Sequence, residues 1–323
     1  MLEIHSISVP TPYLVGPTNA YIIKNQPYTL VDPGPETEDA KKSLLEGLAS
    51  LGVALKDISR VVITHSHSDH SGLVRWIGEQ AGAEIYVHNL EVRKLQKEYI
   101  YYHERLPFFR EAGMPENVMN EIFADKDPVV KPVLPESGVV VLHGGEELAF
   151  TGGLTRVLHL PGHTSGHICL FEPESSTLLA GDFILKHITP NPVMEADRDD
   201  FSKRSPALRQ YLESLKKAEK MKIGLILPGH GKTIDNSRET MVNAQSHHAR
   251  RLEAFLAILS GGPLNAYQLM REIYPRIRGF QIYLGISEIF AHLDYLLEVG
   301  RAVREEHGGV PIYHKANVSL NRG

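Results

Sequence analysis

Residues 64–72 read Thr-His-Ser-His-Ser-Asp-His-Ser-Gly and set His65, His67, Asp69 and His70 within six positions. Ordinary packing rarely asks for imidazole and carboxylate at that density, whereas a zinc-type ion takes this donor set. The run follows the apolar, β-branched Ile58-Ser-Arg-Val-Val-Ile63 and precedes the apolar Leu73-Val-Arg-Trp-Ile77, so it is expected on a loop between a buried strand and a helix. At a strand end, alternate residues face the same way. His65 and His67 can therefore converge on one ion, while the tightening turn carries Asp69 and His70 toward a second position. A chain with this run has to fold so that further ligands reach the loop.

Three downstream segments offer them. Leu158-His-Leu-Pro-Gly-His163 puts His163 in a Pro-Gly turn after the apolar residues 154–160. Leu178-Leu-Ala-Gly-Asp182 ends an apolar run in a carboxylate, and Ile223-Gly-Leu-Ile-Leu-Pro-Gly-His230 repeats the pattern of apolar run, Pro-Gly and histidine. Each candidate thus follows an expected strand and sits in a glycine-containing turn, where the missing Cβ lets backbone approach closely. The strand ends are expected at one edge of a sheet. Together they supply five histidines and two aspartates, enough for two metal sites with Asp182 between them.

The order HxHxDH, then His, Asp and His, resembles the metallo-β-lactamase superfamily over residues about 1 to 235. The resemblance implies an α/β fold, an αββα sandwich with two mixed sheets. It implies His65, His67 and His163 on a first metal, Asp69, His70 and His230 on a second, and Asp182 bridging. Thr18–Ile23 and Tyr28–Gly34 are similar to the family's first hairpin and its Asp-Pro-Gly turn. True β-lactamases of this fold usually carry a cysteine where this chain has Asp182, and they begin with a secretion signal, which Met1-Leu-Glu-Ile-His-Ser-Ile7 does not resemble. Two divalent ions are implied, with zinc expected and manganese or iron compatible with the donors. They would lower the pKa of a shared water toward about 7, giving a metal-bridging hydroxide that attacks an ester, thioester or lactone. Asp69 and Asp182 are the catalytic candidates, the first for orienting or shuttling a proton and the second for balancing charge between the ions. Thr64, Ser66, Ser68 and Thr164 are expected to hold ligand rings by hydrogen bonds. A single-strand RNA endonuclease or phosphodiesterase is the alternative activity, and a binding protein that retained the metal fold the alternative class.

Residues 1–236 are expected to form the catalytic domain, with a helical insert at about 89–135. The insert's Tyr99, Tyr101, Tyr102, Phe108 and Phe109 either line a substrate cleft or dock the insert on the body, and Leu106-Pro107 is expected to mark a helix end. Residues 237–323 read as a long helix, two shorter helices and a hairpin, the order of a winged-helix-like domain. That extension resembles a branch of β-lactamase-like, glyoxalase II-related proteins, whereas the glyoxalase II branch itself ends in a different helical domain. A winged helix suggests DNA binding, but residues 261–315 carry Arg271, Arg276, Arg278, Arg301, Arg304 and Lys315 against Glu272, Glu288, Asp294, Glu298, Glu305 and Glu306. A phosphate-gripping module needs a basic excess. The expected partner is accordingly a small-molecule substrate, with no duplex DNA and with a homodimer compatible.

Of the remaining histidines, His187 follows Asp182 by five residues and is a candidate substrate contact, His167 belongs to the next strand, and His247 and His248 are expected on a helix surface. The net charge of −5 gives no general attraction to nucleic acid or anionic membrane. Cys169 is the one cysteine, which makes a reducing cytoplasm the natural compartment. No uninterrupted apolar run of about eighteen residues occurs, so neither export nor membrane insertion is expected.

Overall fold

The β-branched and apolar segments form two mixed sheets in the computed structural model of the chain, which describes residues 1–97, 99, 101–124 and 133–317, excepting the side chains of Tyr101, Tyr102, Phe123 and Ala124. The first sheet places β1 (Ile4–Val9), β2 (Thr18–Ile23), β3 (Thr29–Val31), β4 (Arg60–Val62), β5 (Glu84–His88) and β6 (Val139–Leu142) side by side in chain order. Pairing is antiparallel from β1 to β3 and parallel from β3 to β6. The second sheet runs β11-β10-β9-β8-β7, built from β7 (Glu147–Phe150), β8 (Gly153–His159), β9 (Ile168–Glu172), β10 (Thr177–Gly181) and β11 (Leu225–Pro228). Only the β10–β11 pair among these is parallel.

Strand periodicity sorts the core. Tyr21, Ile23, Val31 and Val62 of the first sheet join Leu148, Phe150, Val157, Ile168, Leu170, Leu179 and Leu227 of the second in one cluster. Their sequence neighbours Ala20, Ile22, Leu30 and Val61 point to the opposite face, as a period of two requires. There they meet Ala40, Leu44 and Leu48 of α1 (Glu38–Ser50) and, beyond the short α2 (Ser68–Ser71), Val74 and Ile77 of α3 (Val74–Ala81). Thr37 caps α1 by accepting the Ala40 N–H, and the buried alanine and leucines recur every fourth residue. The short α4 (Asn89–Val92) follows β5 directly.

The described chain divides into two compact units. Met1–Tyr99, Asp127–Pro190 and Ser214–Val242 make the first, and Ile100–Lys126, Asn191–Glu213 and Asn243–Gly323 the second. This division does not follow the expected boundary after residue 236, nor does it leave the whole insert with the catalytic unit. The reason is apolar burial in the second unit. There α5 (Tyr101–Glu111), α6 (Glu116–Ala124) and the turn between them contribute Phe108, Phe109, Ala112, Met114 and Met119 to a core shared with Leu269, Met270, Ile286, Ile289, Phe290 and Leu293. Phe108 and Phe109 are thus core residues, not cleft lining. Tyr99 is buried under the Arg93 guanidinium in the first unit, and the side chains of Tyr101 and Tyr102 lie outside the description. Pro107, expected at a helix end, stands inside α5. An interior proline costs about 3 kcal/mol, and burial of the two phenylalanines that follow it offsets that.

After α7 (Ala207–Glu219) and α8 (Ser237–Leu259) come α9 (Ala266–Ile273), α10 (Phe280–Glu298) and the hairpin β12 (Ala302–His307) with β13 (Val310–Lys315). Asn265 and Gln268 form a reciprocal capping box that fixes the start of α9. No helix of the described residues is long and apolar enough to cross a membrane.

His248 is buried, contrary to the expected surface position, because it lies on the α8 face that also presents Leu252, Phe255 and Leu259. Its Nδ1 is 3.1 Å from His292 Nε2, and His292 Nδ1 donates to the Glu288 carbonyl at 2.7 Å. Those bonds fix both rings in neutral tautomers. Burial, reinforced by the neighbouring positive groups, holds His248 down to about 2, and burial holds His292 down to about 4. A histidine whose folded pKa lies below its unfolded value stabilises fully above about pH 6.5 and loses that contribution progressively as the pH falls below it. We expect His292 alone to cost about 3 kcal/mol of stability by pH 4, and denaturant unfolding of the His248→Leu/His292→Leu variant to depend less steeply on pH. Equal pH slopes for variant and wild type would exclude this role.

Candidate metal centre

All seven expected ligands lie in the first unit and converge. They do not come from one sheet edge. His65, His67, Asp69 and His70 follow β4 of the first sheet, whereas His163, Asp182 and His230 follow β8, β10 and β11 of the second. Backbone bonds tie the sheets at this end: Ile168 N–H donates to the Thr64 carbonyl at 2.9 Å and Asn19 N–H to the Gly229 carbonyl at 2.7 Å. Two sheets feeding one site let four loops meet without any one strand supplying two distant ligands.

The first group is His65, His67 and His163. His65 Nε2 lies 3.0 Å from His67 Nδ1, which lies 3.1 Å from His163 Nε2. Thr64 explains which nitrogen of His65 faces inward. Its hydroxyl donates to Asp32 Oδ2 at 2.7 Å, so its oxygen accepts the proton on His65 Nδ1 at 3.0 Å and leaves Nε2 bare. A tetrahedral ion with nitrogen ligands at about 2.0–2.1 Å holds its donors about 3.3 Å apart, close to the spacing found.

The second group is Asp69, His70 and His230. His70 Nδ1 donates to Asp32 Oδ2 at 2.9 Å and His230 Nδ1 to the Pro17 carbonyl at 2.9 Å, so both rings turn Nε2 inward, 3.2 Å apart. Asp69 Oδ2 stands 3.3 Å from His230 Nε2. Asp182 reaches both groups. One oxygen lies 3.7 Å from His163 Nε2 and 3.7 Å from His230 Nε2, and the other 3.5 Å from His70 Nε2. That second oxygen, Oδ1, is buried without a hydrogen-bond partner among the described residues. Gly229 makes the approach possible, since a Cβ there would stand 2.5 Å from Asp182 Oδ1 and 2.7 Å from the His70 ring.

Charge tells the same story. Burial first, and the neighbouring imidazoles second, push His65 well below its ordinary value and His67 to about 3, so both rings are neutral, the form in which imidazole can ligate a metal. Burial alone would raise Asp69 and Asp182, but the surrounding histidines hold both carboxylates below the usual range. Burial also opposes a charge on His70, yet Asp182, Asp69 and Asp32 outweigh it and raise His70 well above its ordinary value. The anionic pocket therefore draws in positive charge, which divalent cations among these donors would supply.

Asp32 is the main residue whose role the sequence did not disclose, being noted only within the Val31-Asp-Pro-Gly34 turn. It has positive φ, 51°, and accepts the Thr64 N–H and hydroxyl as well as His70 Nδ1. A carboxylate backing a ligand histidine fixes its tautomer and raises its basicity. Of the four expected ring-holding residues, Thr64 touches a ring, Ser66 donates its N–H to Glu91, Ser68 meets the Tyr13 hydroxyl, and Thr164 shapes its turn through its carbonyl. His167 is buried behind the site rather than in β9, stacks on His65, and accepts the Asp182 N–H at 3.1 Å. His187 is exposed on the segment after Asp182.

Comparison with known proteins places this geometry. The sequence pattern of the metallo-beta-lactamase superfamily matches residues 13–230. The chain is 29% identical to the probable metallo-hydrolase YqjP of Bacillus subtilis over 97% of this chain and 98% of that one. A metallo-beta-lactamase family protein from Thermus thermophilus superimposes with a TM-score of 0.82 at 30% identity, covering 97% of this chain and 98% of the other. A more distant relative, at 23% identity over 89% of this chain and 73% of its own, is the atrochrysone carboxyl ACP thioesterase of Passalora fulva.

Proposed function

The chain belongs to the metallo-beta-lactamase superfamily, and from that premise we propose that it is a dinuclear metal-dependent hydrolase of ester, thioester or lactone carbonyls. The observation that carries this is Asp182, whose two oxygens reach the His65–His67–His163 group and the Asp69–His70–His230 group at once. Bound there, two divalent ions, zinc in first place, would acidify water to a pKa of about 7 and polarise an acyl oxygen. The chain's own residues do the rest. His65, His70 and His230 turn Nε2 inward, held so by Thr64, Asp32 and the Pro17 carbonyl, and His67 Nδ1 and His163 Nε2 face the same point. Asp69 directs one oxygen to His230 and keeps the other for the proton that leaves the attacking water. Exposed His187 is proposed as a substrate contact.

Acyl substrates are favoured over RNA for two reasons. A relative at 23% identity is named a thioesterase, which acts on an acyl carbonyl. The net charge is −5, and residues 261–315 carry as many acidic as basic side chains, which supports a small-molecule partner over a phosphate backbone, RNA or duplex DNA. A cytoplasmic location, which the lone buried thiol of Cys169 supports, and a homodimer belong to the same proposal. The test is a panel of lactones, aryl esters, acyl thioesters, phosphodiesters and single-stranded RNA, run on protein of measured metal content. Turnover of a carbonyl substrate that outpaces RNA cleavage is expected. RNA cleavage alone would replace this reading with the phosphodiesterase.

A further inference from the structure

Glu91 is fully buried in the first unit, and the proposed reaction makes no use of it. It lies on α4, a one-turn helix whose start is fixed by His88 accepting the Leu90 N–H. Its Oε2 accepts the N–H of Ser66, the residue between His65 and His67, at 3.0 Å. Its Oε1 accepts the N–H of Gly166, three residues beyond His163, at 2.8 Å. Lys94 Nζ also donates to Oε1 at 2.8 Å and approaches Ser165 Oγ at 3.4 Å. Gly166 is what lets the second loop come so near, because a Cβ there would stand 2.6 Å from Oε1. A buried carboxylate is costly unless paired and hydrogen-bonded, and this one is satisfied by two backbone N–H groups from two different ligand loops.

We propose that Glu91 is a positioning residue for the three-histidine half of the metal centre: one oxygen holds the His65–His67 loop, the other holds the loop after His163, and the carboxylate sets the distance between them. This rests on the metal-centre reading above. The clamp acts on the first group of ligands and leaves the second, which depends on Asp32 and the Pro17 carbonyl, untouched.

The test uses the full chain and cobalt(II) as the probe, with chelator competition and the visible absorption of each bound ion as readouts. Wild type is expected to take up two ions. Glu91→Gln has one acceptor oxygen where there were two, so either Ser66 or Gly166 faces an NH2 group. Its cobalt affinity at the three-histidine half should fall at least about tenfold, with loss of that ion's absorption, while the other half keeps wild-type affinity. Lys94→Met, which leaves the carboxylate on both loops, separates positioning from stability: it should retain the first ion better than Glu91→Gln even at an equal loss of Tm. Wild-type cobalt affinity in Glu91→Gln, or losses in both variants that simply follow Tm, would overturn the proposal. Should Glu91→Gln not fold, Gly166→Ala is read in the same way, since its methyl displaces Oε1, and wild-type affinity there overturns it too. A wild-type chain that binds no cobalt defeats the metal-centre reading itself, an outcome distinct from failure of the clamp.

Discussion

Asp182→Ala is expected to abolish hydrolysis of whichever panel substrate is found, with a loss on the order of 10²-fold or more. The residue approaches ligands of both groups, His163 on one side and His70 and His230 on the other. Alanine removes that link together with a negative charge that the surrounding imidazoles hold in place. The two groups then lose their shared anion, and the remaining carboxylate, Asp69, serves the second group alone. Cys169→Ala is the matched control. Its thiol is buried, lies 3.5 Å from the Ala180 carbonyl and is pushed well above its ordinary pKa by burial, so it is a packing group with no thiolate to offer. Steady-state turnover should collapse in the first variant and stay near wild type in the second. Wild-type turnover in Asp182→Ala, or a fully metallated but inactive Cys169→Ala, contradicts the mechanism.

The second large effect concerns stability. Arg204 in the second unit makes paired bonds of 2.8 Å to both oxygens of Asp294 and a further bond of 2.5 Å to Glu111, with its guanidinium 3.8 Å from the centre of the Phe290 ring. It joins three separate stretches of chain, namely the segment before α7, α5 and α10. Arg204→Met leaves the partly buried Asp294 without this partner and Glu111 with Arg304 alone, at 3.5 Å, and losing charged hydrogen bonds of this kind costs about 1.5–3 kcal/mol. The expected result is a lowered denaturant midpoint at unchanged m-value. Replacing Asp294 by leucine as well should return part of the loss, since it removes one orphaned charge. A single-variant loss under about 1 kcal/mol would mean the network contributes only as an exposed ion pair does.

The clustering of the seven candidate ligands was legible in sequence because metal chemistry imposes local spacing. His65, His67, Asp69 and His70 crowd one turn, and His163, Asp182 and His230 each follow an apolar run and a glycine. Their supports were less legible. Asp32 acts across 38 positions on His70, and Glu91 across 25 on Ser66 and 75 on Gly166, separations at which single-sequence periodicity carries no signal. The assignment of ligand loops to two sheets was hidden for the same reason, since strand order follows long-range pairing. His248 is different, because its signal was present. Met241, Ala244, His248, Leu252, Phe255 and Leu259 recur at helical spacing and are all buried, so the apolar stripe of α8 already placed that histidine inward. The insert misled through composition: aromatic residues suit a cleft and a core alike, and Phe108 and Phe109 met apolar partners from the far end of the chain.

Counting metal ions tests the central claim most directly. Elemental analysis of protein prepared with ample zinc, then freed of loosely held ions, should give close to two ions per chain, as the two ligand groups joined by Asp182 require. His67→Ala should lower that number, because His67 Nδ1 lies within 3.0 and 3.1 Å of the other two donors of the first group and its loss opens the set. A wild-type value below about half an ion per chain would contradict the dinuclear centre and the hydrolase built on it.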